Sequence, residues 1–225
     1  MNTSIELQGV SKHFGRVEAV KEVTLSVEKG QFVGLVGHNG AGKTTTIRMV
    51  TGQLSPTAGS IEVAGVDVVA NPAEAKKVLG VVPEHPALYE YLSAREMIEF
   101  VTQVRGGGDV EWALQVAGLG KDSDRLIREY SQGMRRKTAL AAALVSRPPV
   151  LVLDEALNGL DPASAERVVA VLAELRADGA TVILSTHILD TLEKVADRIV
   201  LMEQGSVVVD GAVGVLDDVR CRLRE

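Results

Sequence analysis

The sequence predicts an α/β fold with a helical lobe inserted into it, and three observations carry that expectation. Short β-branched runs alternate with longer helical patterns, with Gly or Pro at the joins. A continuously apolar run, Phe32–Val36, feeds a glycine-rich turn and then a helical pattern. Between about Leu88 and Arg147 the alternation stops, and helical patterns follow one another with no convincing strand. Strands followed by helices imply parallel strands joined by crossover helices.

The elements follow in order. Residues 5–8 and 23–27 alternate apolar with polar, as half-exposed strands do. Phe32–Val36 lacks that alternation and suits a strand covered on both faces, and residues 150–153 and 181–184 read the same way. Residues 199–202 and 206–209 predict a closing hairpin around Gln204-Gly205. Helical patterns fall near 43–53, 94–105, 110–117, 132–146, 163–178 and 189–196. Gly106-Gly107-Gly108 is a joint between two of them. The charged tail from Asp217 reads as a terminal helix or frayed end. The expected organisation is a single domain over 1–225: an α/β core with a β subdomain from 1–87 and 148–225, and a helical lobe from 88–147.

Composition narrows the function. The chain has 225 residues, 46% hydrophobic and 24% charged, enough apolar mass for a sizeable core. Twenty-four basic residues against 30 acidic leave a net charge of −6. A general nucleic-acid binder would carry a basic surplus, so no nucleic-acid partner is expected. The one cysteine, Cys221, excludes an internal disulfide framework and favours a reducing compartment. The N-terminus has neither the basic nor the apolar region of a signal peptide. No apolar run approaches the roughly 18 residues of a membrane span, so a membrane role would pass through a partner.

Gly37-His38-Asn39-Gly40-Ala41-Gly42-Lys43-Thr44 fits G-x-x-x-x-G-K-[ST], with a buried strand before it and a helix starting at the lysine. Such glycines let successive N–H groups converge on phosphates, and the helix N-terminus adds partial positive charge. Lys43 is expected to reach the β- and γ-phosphates, the Thr44 hydroxyl to ligate Mg²⁺, and Thr45 to extend the phosphate contacts. Residues 150–153 end in Asp154-Glu155. Asp154 at a strand tip can hold the Mg²⁺ hydration shell, and Glu155 can orient or deprotonate an attacking water. The chain has no Asn-Lys-x-Asp guanine motif, which weighs against a GTPase.

Tyr130-Ser131-Gln132-Gly133-Met134-Arg135-Arg136-Lys137 resembles the signature motif of the ATP-binding cassette (ABC) ATPases, and lies 23 residues before Asp154 at the end of the helical stretch. Asn158-Gly159-Leu160-Asp161-Pro162 is similar to that family's D-loop, and Ser185-Thr186-His187 to its switch histidine. Phe14 matches the aromatic that stacks on adenine, although it could equally be a core residue. The resemblance covers residues 5 to about 211 and implies a P-loop NTPase (RecA-like) core with an N-terminal antiparallel β subdomain.

It also implies ATP as the nucleotide, Mg²⁺ as the metal, and hydrolysis with Glu155 as general base and His187 at the γ-phosphate. A second cassette, identical or different, is implied as partner. Each P-loop would face the other chain's Ser131, Gln132 and Gly133, with Asp161 coupling the two sites. Transmembrane permease subunits are implied as well, docking beside residues 82–92 and placing the protein at the inner face of the cell membrane. Two departures stand out: Glu84 replaces the family's usual Gln, and Ala156-Leu157 replaces its Pro-Thr or Pro-Ser. Glu84 keeps an oxygen ligand for Mg²⁺ and adds a negative charge.

The signature variant, Glu84 and the short tail after Gly211 resemble exporter ATPases of the drug, antibiotic and sodium efflux group. The rival is a soluble cassette of assembly or cell-division type, or a slow regulatory one. The basic triplet Arg135-Arg136-Lys137 reads as a solvated helix face. The transported substrate is not written in the chain.

Overall fold

The computed structural model describes residues 2–224. Ten strands and eight helices alternate along it, in two sheets. The smaller sheet contains β1 (Thr3–Phe14), β2 (Val17–Glu28), β4 (Ala58–Val63) and β5 (Val66–Asp67). Its order is β2-β1-β4-β5 and every pair is antiparallel. One face carries Ile5, Leu7, Val10, Val20, Ile61 and Val63 into an apolar cluster, as the alternating pattern requires.

The larger sheet adds β3 (Phe32–Val36), β6 (Leu79–Val82), β7 (Val150–Asp154), β8 (Thr181–Ser185), β9 (Arg198–Glu203) and β10 (Ser206–Ala212). Its order is β10-β9-β3-β8-β7-β6, parallel except for the β9–β10 hairpin. β3, β7 and β8 are buried at every residue, which explains their lack of alternation. They lie side by side, so the segments leaving their carboxyl ends meet at one edge of the sheet. In open α/β sheets that edge is where ligands bind.

The helices are α1 (Lys43–Val50), α2 (Pro72–Val78), α3 (Ala94–Arg105), α4 (Val110–Ala117), α5 (Gln132–Leu144), α6 (Pro162–Ala177), α7 (Leu189–Val195) and α8 (Leu216–Arg222). A capping box starts α3: Ser93 Oγ accepts from Glu96 N, and the Glu96 carboxylate accepts from Ser93 N. Asp109 Oδ1 caps α4 by accepting from Trp112 N at 2.9 Å, and Gly106 and Gly118 close α3 and α4 in the left-handed conformation.

Helices α3, α4 and one side of α5 enclose an apolar cluster of their own, with Ile98, Ala113, Ile127 and Ala141 at its centre. The other side of α5 sends Leu140 and Leu144 against the large sheet, beside Leu151 and Leu153. Being packed on two sides accounts for the small residues Ala139 and Ala141–Ala143, which let both neighbours approach closely.

Two features differ from the sequence expectation, and one open alternative is decided. Strands β4, β5 and β6 and helix α2 have no counterpart in it. β4 opens on Ala-Gly-Ser with three exposed residues, while β6 is only four residues long and follows α2 without a break. Such short elements hold only two or three repeats of their pattern, too few to stand out from their surroundings. The basic triplet is not a solvated face. Arg136 is buried, Lys137 pairs with Asp161 at 3.3 Å, and Arg135 pairs with Glu90 at 3.0 Å. The tail forms α8, held by Arg220 between Asp190 and Glu193 of α7.

Candidate functional site

The turn from β3 into α1 is shaped by backbone contacts that exclude side chains. Gly37 has φ 149°, and a Cβ there would stand 2.3 Å from the Met202 carbonyl oxygen. Gly42 has φ 103°, and a Cβ there would stand 2.7 Å from the Ala19 carbonyl oxygen. Only glycine meets both demands. Gly42 is also the N-cap of α1, and no side chain among the described residues caps that helix end. Its first N–H groups are therefore left for a ligand.

Lys43 is buried and its ammonium donates to the carbonyls of Gly37 at 2.6 Å and His38 at 3.2 Å. The charge thus sits within the curl of the loop. Thr44 and Thr45 follow on the first turn of α1 and are half-buried.

Asp154 ends β7 and is 2% exposed, and its Oδ1 has no hydrogen-bond partner among the described residues. A buried carboxylate oxygen left this way calls for a cation or an ordered water. Glu155 takes φ 47°, unusual for a residue with a side chain, and this turns its carboxylate out of the sheet. Its Oε2 accepts from Asn158 Nδ2 at 2.9 Å and lies 3.1 Å from His187 Nδ1, two residues past β8. A carboxylate oxygen only accepts, so Nδ1 is the donor in that contact.

An open cleft of about 620 Å³ runs across these groups, within the range of small-molecule sites. Phe14, Asn39, Gly40, Ala41, Gly42, Lys43, Thr44, Thr45, Glu84, Glu155 and His187 line it, together with Ala19 and Asn158. Phe14 stands half-exposed at its end, with the Lys12 ammonium 5.3 Å from the ring centroid. A ring this exposed is not a core group. Glu84, just after β6, puts a second carboxylate in a cleft that already holds Glu155.

The cleft does not gather every residue singled out from sequence. Gly37 and His38 contribute carbonyls to Lys43 from behind, and Asp154 lies beneath the lining. Ser131, Gln132, Gly133 and Asp161 are outside it. Ser131 Oγ accepts from Met134 N at 3.3 Å and so caps α5. Asp161 caps α6, accepting from Ser164 N at 2.9 Å and from Ser164 Oγ at 2.6 Å. Those bonds from Ser164, with Lys137 beside it, hold the Asp161 carboxyl well below the usual carboxylate range.

Two lining residues were not among the sequence candidates. Asn158 had a readable signal, three residues past Glu155 in the same turn. Ala19 had none, because β2 brings it in from the smaller sheet.

Comparison with known proteins agrees with this geometry. Residues 20–158 match the ABC transporter family. The chain is 35% identical over 92% of its length to the bacitracin transport ATP-binding protein BcrA of Enterococcus faecalis, covering 69% of that protein. It is 36% identical over 96% of its length to the daunorubicin/doxorubicin resistance ATP-binding protein DrrA of Streptomyces peucetius, covering 68% of it. Among solved structures, the ATP-binding subunit of an ABC transporter superposes with a TM-score of 0.91 at 29% identity, over 99% of this chain and 100% of that one. The glycine turn before Lys43, the paired acidic strand end and His187 thus sit on the fold of that ATP-binding subunit. The chain belongs to the ABC transporter family as an ATP-binding cassette.

Proposed function

We propose that this chain is the ATP-hydrolysing subunit of an ABC transporter and drives export through separate membrane subunits. One observation carries the reading: the Glu155 carboxylate, held by Asn158 and His187, faces the same cleft as Lys43 and Thr44. A positioned base and a phosphate cradle are the two parts that phosphoryl transfer to water requires.

In this reading adenine stacks on Phe14 and the phosphates lie along Asn39–Thr45. The backbone N–H groups and the Lys43 ammonium stabilise the phosphate charge. Glu155 takes the proton of the attacking water at a carboxylate oxygen. His187 donates from Nδ1 to Glu155, which orients its ring toward the γ-phosphate. The residues present fit Mg²⁺: the Thr44 hydroxyl and the unpartnered Asp154 Oδ1 would hold it, with Glu84 as a further oxygen donor. When bound, Mg²⁺ neutralises charge on the β- and γ-phosphate oxygens.

Ser131, Gln132 and Gly133 then act in trans, on the nucleotide of a second cassette, whether a copy of this chain or a relative. Their position outside this chain's own cleft supports that arrangement. Loss of the γ-phosphate removes the bridge between the two halves, which separate. Among the described residues no helix is long and apolar enough to cross a membrane, so the work passes to membrane subunits. Tyr89, Tyr91, Leu92 and Phe100 form an exposed apolar hollow near residues 82–92, suited to a helix from such a subunit at the cytoplasmic face. Relatives named for bacitracin transport and drug resistance support an outward direction.

Glu155→Gln tests the reading. The tagged variant is purified in Mg-ATP from detergent-solubilised membranes of its own cell. A polytopic membrane protein is expected to stay with it, and wild-type protein is expected to release phosphate from ATP. Recovery with soluble partners only would move the chain to the non-transport cassettes. ATP binding without phosphate release would make it a regulatory one.

A further inference from the structure

Arg136 is 6% exposed, although it belongs to a run of three basic residues. Its guanidinium donates through Nη1 to the Glu155 carbonyl at 3.0 Å and to the Asn158 carbonyl, and through Nη2 to the Glu84 carbonyl at 3.4 Å. Two other segments therefore converge on one side chain of α5: the turn after β7 and the segment after β6. No carboxylate is among those acceptors, so charge pairing does not explain the burial.

The turn it holds is the one that aims the base. Glu155 sits at φ 47°, a conformation that persists in a residue with a side chain only when the surroundings enforce it. Asn158 N donates to the Glu155 carbonyl at 3.1 Å, and Asn158 Nδ2 donates to Glu155 Oε2 at 2.9 Å. Arg136 grips the carbonyls at both ends of this four-residue turn. It stands three residues after Gly133 on α5, hence on the same helix face. A shift of α5 would be felt by the Glu155 turn directly.

We propose that Arg136 is a positioning residue that sets the aim of Glu155 according to where α5 lies. The signature end of the helix is thereby coupled to the water-activating carboxylate of the same chain. The proposal rests on Glu155 being the general base. Lysine cannot replace this device, because a single ammonium does not span three carbonyls as the planar fork does.

The test measures steady-state ATP turnover, KM for Mg-ATP and melting temperature for the full chain in its assembled form. It compares wild type, Arg136→Lys, Arg136→Ala, Glu155→Gln and the Arg136→Lys/Glu155→Gln double variant. Misplacement of a reacting group by about 1 Å costs on the order of 10²-fold, so kcat of Arg136→Lys is expected to fall by that order, with KM within threefold. Methylguanidinium at millimolar concentration is expected to restore part of the turnover of Arg136→Ala, while sodium chloride does not.

In the Glu155→Gln background the Arg136 substitution is expected to cost nothing further, since both act through one group. If Arg136→Ala does not fold, Arg136→Lys and the double variant carry the test. A kcat within threefold of wild type in Arg136→Lys, or an equal loss in both backgrounds, overturns the proposal and leaves the base assignment intact. Absence of turnover in the wild-type assembly overturns the base assignment and this proposal with it.

Discussion

Two helix N-termini in this molecule carry glycine-bearing motifs. That of α1 has no side-chain cap among the described residues, is wrapped by a glycine loop and holds a buried lysine ammonium. That of α5 is capped by Ser131 Oγ and lies outside the cleft. Both offer the partial positive charge of a helix end. In α1 the loop, the ammonium and the acidic end of β7 all come from one chain, so the proposed phosphate site needs no second copy. In α5 only one wall is present, and the cap already satisfies one N–H. In the proposed reading the first is a binding site, and the second is half of one that a second cassette completes.

The sharpest way to break that comparison is to remove the base while leaving the cradle. In Glu155→Gln, turnover is expected to fall by about 10²–10⁴-fold, the range for losing a general base. Nucleotide affinity is expected to hold, as titration with a fluorescent ATP analogue would report. A parallel loss of affinity would show that Glu155 belongs to the cradle instead. Lys43→Ala attacks the cradle itself. A fall of about 10²–10³-fold in turnover is expected, with weaker binding of ATP in the isolated chain. Unchanged binding would mean that the loop backbone alone holds the phosphates.

Gly133→Ala addresses the other helix. A Cβ there would stand 3.3 Å from the Gly159 carbonyl oxygen, a contact that a small local shift absorbs. ATP affinity of the isolated chain is expected to be unchanged, while turnover of the assembled protein falls by roughly tenfold or more from crowding of the partner's phosphate. Reduced affinity in the isolated chain would place the α5 terminus in the same chain's site.

The smallest effect concerns Asp161, whose folded carboxyl is held below its ordinary value of 3.8. A depressed carboxylate contributes stability above its unfolded pKa, and that contribution fades as pH falls through the folded value. Asp161→Asn is therefore expected to melt below wild type at neutral pH, by an amount that shrinks as the pH drops under 3.8. A difference that does not change with pH would assign the loss to packing rather than charge.

Much of this was legible in the sequence because its signals are local. The phosphate turn declares itself through glycines at fixed spacing and a lysine. The buried strands Phe32–Val36, Val150–Asp154 and Thr181–Ser185 declare themselves as unbroken apolar runs. Arg136 was misread because charge patterning says where a basic run sits but not what arrives opposite it. Its acceptors are backbone carbonyls 19, 22 and 52 residues away, and a carbonyl has no signature in sequence. Ala19 escaped for a related reason: it reaches the cleft through the placement of a strand in the other sheet.

By itself, then, the sequence determined the family, the phosphate cradle, the acidic strand end and most of the elements, since each depends on residue types at short, fixed spacing. The tertiary structure decided the strand order, which puts β8 between β3 and β7 and so brings His187 to Glu155. It also decided that Asn158 holds the Glu155 carboxylate, that Arg136 ties the turn after β7 and the segment after β6 to α5, and that the α5 terminus lies apart from the cleft. These are matters of which surfaces pack against which. Packing is set by the whole apolar core rather than by any window along the chain.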